Sequence, residues 1–243
     1  MLRSTLQVCI PLDDGLDAAL GCISERFPTA SKVDFTPVLN ATDYHTRLAE
    51  GLAALPDNGW PAVEVVLIKD FCIPVPVAMH VVRLCPRLRH MRLRCNDDTD
   101  AGVGAAAVLD DLAAVAGTLE VLEINCPAPG GEAHVGAALA RLTGLRRLQI
   151  DWDLAWPPDA EGLLAAALPA LTSLSSLAVT SLDHEFEEDD SEEEDVDLLP
   201  HPGWQAPGSL RELGLTSYDS HWALGLLRSA PVLAGVTKLK LWG

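Results

Sequence analysis

The pattern Leu-x-x-Leu-x-Leu returns along this chain at intervals of about 25 to 36 residues, and a recurring unit constrains a fold more tightly than composition does. The clearest copy is LRHMRLRCN, with Leu88, Met91, Leu93 and Asn96. After it come Leu119–Leu122–Ile124, Leu145–Leu148–Ile150, Leu174–Leu177–Val179, Leu210–Leu213–Leu215 and Val236–Leu239–Leu241. Looser copies stand upstream at Val63–Val66–Ile68, Ala30–Val33–Phe35 and Thr5–Val8–Ile10. In each copy the fourth and sixth positions take one side of an extended strand and the fifth takes the other. Strands this short do not hold alone. Stacked as neighbours in one parallel sheet, they share a ladder and a core.

Between the strands the apolar period becomes helical. Leu16, Leu20, Ile23 and Phe27 line one face, as do Tyr44, Leu48, Leu52 and Leu55. The same spacing recurs at Val108, Leu112 and Val115, at Val135, Leu139 and Leu142, at Leu164, Leu168 and Leu171, and at Leu224 and Leu227. Asp13, Thr42, Thr99 and Ser220 are the candidate N-caps. A further helix falls between Cys72 and Leu84, delayed by Pro74 and Pro76.

A strand, a turn and a helix repeating at this period resemble the leucine-rich repeat proteins of the long, ribonuclease-inhibitor-like or F-box-associated type. The resemblance covers nearly the whole chain and is carried best by Leu88–Asn96 and Leu119–Cys126. It implies an α/β solenoid, or horseshoe, with a single parallel sheet on the concave side and helices on the convex side. Residues 1–243 then form one repeat domain. The family's Asn after the strand is matched only by Asn96; Pro127, Asp153, Leu182 and Tyr218 stand in its place elsewhere, which implies irregular turns. Strand-like sequence begins near residue 5 and the chain stops inside a repeat at LKLWG, so the array is expected to continue in a longer protein.

Charge narrows the function classes. The formal net charge is −18, but residues 183–197, DHEFEEDDSEEEDVD, hold 11 carboxylates. Without them 24 acidic residues face 17 basic ones, so the body is only mildly acidic. That field opposes nucleic-acid binding, which needs clustered Lys and Arg. The acidic run is expected to be a flexible solvated insertion between two repeats, and Ser191, followed by three Glu, suits an acidophilic kinase. No apolar run approaches the length of a membrane span. The six cysteines form no CxxC pair, which points to a reducing compartment, cytoplasmic or nuclear. The sequon at Asn40 is the one contrary signal. His80, Cys85, His90 and Cys95 recur every five residues, a spacing that suits no zinc site, so no metal and no cofactor is expected.

Strand alternation places one set of side chains on the concave face. Its only basic cluster is Lys69, Arg92 and Arg94, with His90 beside them; Glu123 and Asp151 lie one and two strands further on. Arg guanidinium groups offer forked donors to carboxylate or phosphate. The same charges equally suit cross-strand pairing, Arg92 with Glu123 for example. No GxSxG, HExxH, Walker loop or GxGxxG occurs, and an enzyme is not expected. The expectation is a non-enzymatic protein–protein interaction scaffold that binds through Lys69, His90, Arg92, Arg94, Glu123, Arg147 and Asp151, with Trp242 at the margin. A small-anion receptor using the basic cluster is the alternative. The resemblance also admits a fragment of an F-box-type ubiquitin-ligase substrate receptor, although the first 30 residues already read as strand, helix and strand, or a GTPase-activating scaffold.

Overall fold

A computed structural model describes residues 6–11, 20–21, 23, 25–36, 44–73, 75–95, 108–126, 132–152, 160–181, 206–217, 233 and 235–242. Its centre is one open sheet of nine strands in sequence order: β1 (Leu6–Pro11), β2 (Ala30–Thr36), β3 (Val65–Ile73), β4 (His90–Cys95), β5 (Val121–Cys126), β6 (Arg147–Trp152), β7 (Ser176–Ser181), β8 (Glu212–Ser217) and β9 (Lys238–Trp242). Every neighbouring pair is parallel. Among the described residues, the helices with defined bounds are α1 (Tyr44–Ala54), α2 (Val75–Leu84), α3 (Glu132–Leu139) and α4 (Ala160–Ala167). Residues 108–112 are also helical and run into a short 3₁₀ turn, Ala113–Val115.

The repeat holds its register at the start of each strand. The first leucine of each copy sits at the end of a tight turn, its N–H donating to a carbonyl three or four residues back: Leu88 to Cys85, Leu119 to Val115, Leu145 to Leu142, Leu174 to Leu171, Leu210 to Pro207. All five leucines are fully buried. The next residue presents a carbonyl that accepts two successive N–H groups from the following repeat. Glu64 O takes Arg89 N at 2.8 Å and His90 N at 3.0 Å; Arg89 O takes Glu120 and Val121; Glu120 O takes Arg146 and Arg147. Arg146, Ser175 and Arg211 continue the series to Thr237 and Lys238. Each of these carbonyls uses both lone pairs, so the backbone is satisfied where the chain enters the core.

From that start alternation does the sorting. Met91, Leu93, Leu122, Ile124, Leu148, Ile150, Leu177, Val179, Leu213 and Leu215 all turn inward and are at most 2% exposed. They join the helix residues Leu48, Leu52, Val77, Val81, Leu139, Leu163 and Leu164 in one continuous apolar cluster. One face of the sheet is thus sealed by helices and turns, and the other stays open. Gly136 permits the closest helix contact: a Cβ there would stand 2.8 Å from Leu163 O and 3.0 Å from the Ala166 Cβ, so α3 and α4 could not approach as they do. Arg83 on α2 donates to Leu52 O and Leu55 O at the end of α1 and pairs with Asp57, putting a cation at that helix's C-terminus.

Several expectations shift. Phe27 follows its helix rather than extending it and is exposed, although Leu20 and Ile23 are buried as expected. Leu142 and Leu171 lie past their helices and serve as the turn acceptors named above. The helix after β3 starts at Val75, consistent with the delay set by two prolines. The N-caps Asp13, Thr42, Thr99 and Ser220, the sequon at Asn40, the helix containing Leu224 and Leu227, and the acidic run 183–197 with Ser191 lie outside the described residues. Among those described, no helix is long and apolar enough to cross a membrane.

The facing assignment is testable in urea. Leu93→Ala and Ile124→Ala should each lose about 2 to 5 kcal/mol, the usual cost of truncating a large buried aliphatic side chain. Arg92→Ala should lose well under about 1 kcal/mol, as surface changes do. Equal losses at positions 92 and 93 would mean the strand faces are reversed.

Candidate interaction surface on the open sheet face

The ladder tiles the expected site residues in rows. His90, Val121 and Arg147 stand side by side on β4, β5 and β6; Arg92, Glu123 and Gln149 form the next row; Arg94, Asn125 and Asp151 form the third. Neighbouring positions in a row are one strand spacing, about 4.8 Å, apart.

Glu123 organises the centre. His90 Nε2 lies 3.0 Å from its Oε1, and Arg92 Nε lies 3.6 Å from its Oε2. A carboxylate only accepts, so the His90 Nε2 in this pair carries the proton. The Glu123 side chain is only 16% exposed. The His90 hydrogen bond, together with the fields of His90, Arg92 and Arg147, holds its carboxyl below the usual range against the opposing effect of burial. Asp151 goes the other way. Burial raises its carboxyl, offset in part by hydrogen bonds from Thr180 and Gln149 and by Arg92, while Glu123 adds to the rise. The Gln149 amide donates to both of its oxygens, at 3.3 and 3.2 Å. Arg147 is exposed beside this group.

The basic cluster expected from the sequence is therefore only partly assembled. His90 and Arg92 come together, but on a carboxylate. Lys69 is not where simple alternation puts it. Four residues separate Leu67 from Cys72 on β3, whereas one, Leu93, separates their partners Arg92 and Arg94, so Cys72 and not Lys69 stands opposite Arg94. The longer β3 bulges there and breaks the row. The side chains of Lys69, Arg94 and Trp242 lie outside what is described. The Arg92–Glu123 cross-strand pair is present as the sequence suggests.

Three features escape a reading of the sequence. Glu212 binds Lys238 at 2.9 Å and Lys240 at 2.6 Å, and hydrogen bonds from these two ammonium groups, Lys240 first, hold its carboxyl down to about 2. Along the strand starts, Arg89 bonds Glu120 at 2.5 Å and lies 3.9 Å from Glu64. Asp34 sits on the open side of β2, in register with Leu67, and both are nearly buried, whereas the other described side chains on this face are partly exposed. The signal for the first two was present in the alternation of opposite charges at equivalent repeat positions. Nothing local marks Asp34. Cys85, by contrast, belongs to the core, where burial pushes its thiol far up and leaves it unreactive. Cys95 and Cys126 end β4 and β5, with Arg94 opposite Asn125 just before them.

The lowered Glu123 carboxyl makes a pH prediction. A carboxylate depressed in the fold contributes stability that is complete above its unfolded value, about 4.3, and is lost as pH falls through the folded value. Glu123→Gln should therefore cost roughly 1 kcal/mol near neutral pH. The gap from wild type should close as pH drops below that of a free glutamate. Denaturant melts across pH would show it, and a gap unchanged down to the acid limit would mean that the cost does not come from the charge of Glu123.

A comparison with protein-family models finds no match, and a comparison with curated proteins finds none.

Proposed function

We propose that this chain is a leucine-rich-repeat-type horseshoe acting as a non-enzymatic scaffold, and that it binds a protein partner in the cytosol or nucleus through the open, concave face of its sheet. The observation that carries this reading is the asymmetry of the sheet. One face is closed by a continuous apolar cluster, while the other presents half-buried polar side chains on strand after strand. A broad, rigid, mixed-charge surface suits a folded or extended polypeptide. The small-anion alternative ranks lower because Glu123 already engages the donors of His90 and Arg92, so an incoming anion would meet a carboxylate. On this reading His90, Arg92, Glu123, Arg147 and Asp151 form the middle of the contact surface, with Lys69 and Arg94 toward its edge.

Site-specific photocrosslinking tests the face. A photoreactive residue placed at Arg147, Thr180 or Thr216, on the open side, should capture the same partner from all three positions. The same group at Glu50, Ala137 or Ala166, exposed on the helical side, should capture none. Adducts confined to the helical positions would place the binding surface there and end the proposal.

A further inference from the structure

Among the described side chains of the open face, every basic group but one has an acid beside it. Lys32 lies 3.9 Å from Asp34, His90 and Arg92 lie 3.0 and 3.6 Å from Glu123, and Lys238 and Lys240 lie 2.9 and 2.6 Å from Glu212. Arg147 is the exception. It stands in register with Val121 on β5 and Ser176 on β7, and neither carries a charge. Its field reaches Glu123, but the two oxygens of that carboxylate are engaged by His90 and Arg92. Glu212, beyond Ser176, is held by its two lysines. The preceding residue, Arg146, is exposed as well, and among the described residues its guanidinium has no partner. Glu120, at the equivalent place one strand back, is taken by Arg89. Both arginines belong to the interior of the array, with described strands on either side of β6.

Resting on the open-face reading above, we infer that Arg147, with Arg146 beside it, anchors a carboxylate of the partner, so that the polypeptide segment crossing β6 and β7 is acidic. The pairs already made on this sheet define what fits. Arg92 meets Glu123, and Lys238 meets Glu212, directly across one strand spacing. At Arg147 the corresponding place is occupied by Ser176, whose short side chain leaves room for an acid supplied from outside. A guanidinium binds a carboxylate through two parallel N–H donors, and two adjacent guanidinium groups favour an anion further. A basic segment would set like charge against both arginines, which is unfavourable across a strand spacing.

The test uses the whole chain and three fluorescent peptides of equal length: alternating Glu and Ser, alternating Gln and Ser, and the Gln–Ser peptide carrying one phosphoserine. By anisotropy, wild type should bind the Glu–Ser peptide at least about tenfold tighter than the Gln–Ser peptide, and that affinity should fall as salt rises. R146Q/R147Q should abolish the preference with an unchanged circular dichroism spectrum. R26Q/R87Q removes the same charge at two other exposed arginines and should leave the preference intact. Ser176→Glu places an acid in register with Arg147 and should weaken the Glu–Ser peptide by about tenfold, the scale of one charged hydrogen-bonded contact. Equal binding of the Glu–Ser and Gln–Ser peptides, no binding of either, full affinity in R146Q/R147Q or in Ser176→Glu, or an equal loss in R26Q/R87Q would each overturn the inference. Tighter binding of the phosphoserine peptide than of the Glu–Ser peptide would overturn the carboxylate in favour of a phosphate. A partner crosslinked from Thr180 and Thr216 and retained undiminished by R146Q/R147Q would overturn the acidic anchor while the open-face reading stands, whereas crosslinks confined to the helical side would end both.

Discussion

Everything else in this fold depends on one arrangement at the start of β4 to β8: a buried leucine, and beside it a carbonyl that takes two N–H groups from the next repeat. The two act together. The leucine anchors the turn in the core, and the doubly bonded carbonyl sets the spacing and register of the neighbouring strand. Because the second position contributes through its backbone, its side chain can vary. It reads Glu64, Arg89, Glu120, Arg146, Ser175, Arg211 and Thr237 along the sheet. That freedom is used locally. Arg89 joins two acids, Ser175 Oγ adds a bond to Arg146 O, and Thr237 Oγ1 adds one to Arg211 O.

A register pinned at one end leaves the other end free to depart from it. The departure at β3 occurs after Leu67, beyond the pinned start, and it displaces Lys69 from the row of Arg94 while leaving Val65 and Leu67 in step with His90 and Arg92. Local period and shared register are separate properties. The first is a matter of side-chain alternation within a few residues; the second requires neighbouring strands to have equal length between pairing points. Val63–Val66–Ile68 carries the period faithfully, and nothing in those six residues announces the extra chain that follows.

This separates what was legible in the sequence from what was not. The parallel order of the strands and the inward set from Met91 to Leu215 follow from a repeated apolar spacing, because burial acts on each residue through its immediate neighbours. Helix existence was legible at Leu48 and Leu52 for the same reason. Helix ends were less so: Phe27, Leu142 and Leu171 keep the apolar character of a helix face but lie beyond the last helical turn, where turn hydrogen bonds take over. The candidate site was legible as positions on a face and not as contacts. That Arg92 and His90 both settle on Glu123, or that Asp34 is shielded on the open side, depends on side-chain reach between strands about 30 residues apart.

The electrostatics of the open face follow from that convergence. Glu123 is held by a histidine and an arginine, and Glu212 by two lysines, so much of the charge on this surface is compensated across strands. Compensated charge produces a weak long-range field and a detailed short-range one. On the proposed reading, a partner for such a face would be selected by matching donors and acceptors row by row, with little help from long-range attraction. The formal charge of −18 does not contradict this, because 11 of the carboxylates belong to one segment between β7 and β8. The local pattern matters for stability as well. Removing His90, the closer basic partner of Glu123, leaves a carboxylate that is already largely withdrawn from water, so this pair helps to hold β4 and β5 together. On the proposed reading, a partner would add to the existing pairs, approaching Arg147 or the outer side of Arg92, and would not displace Glu123 from the donors it has.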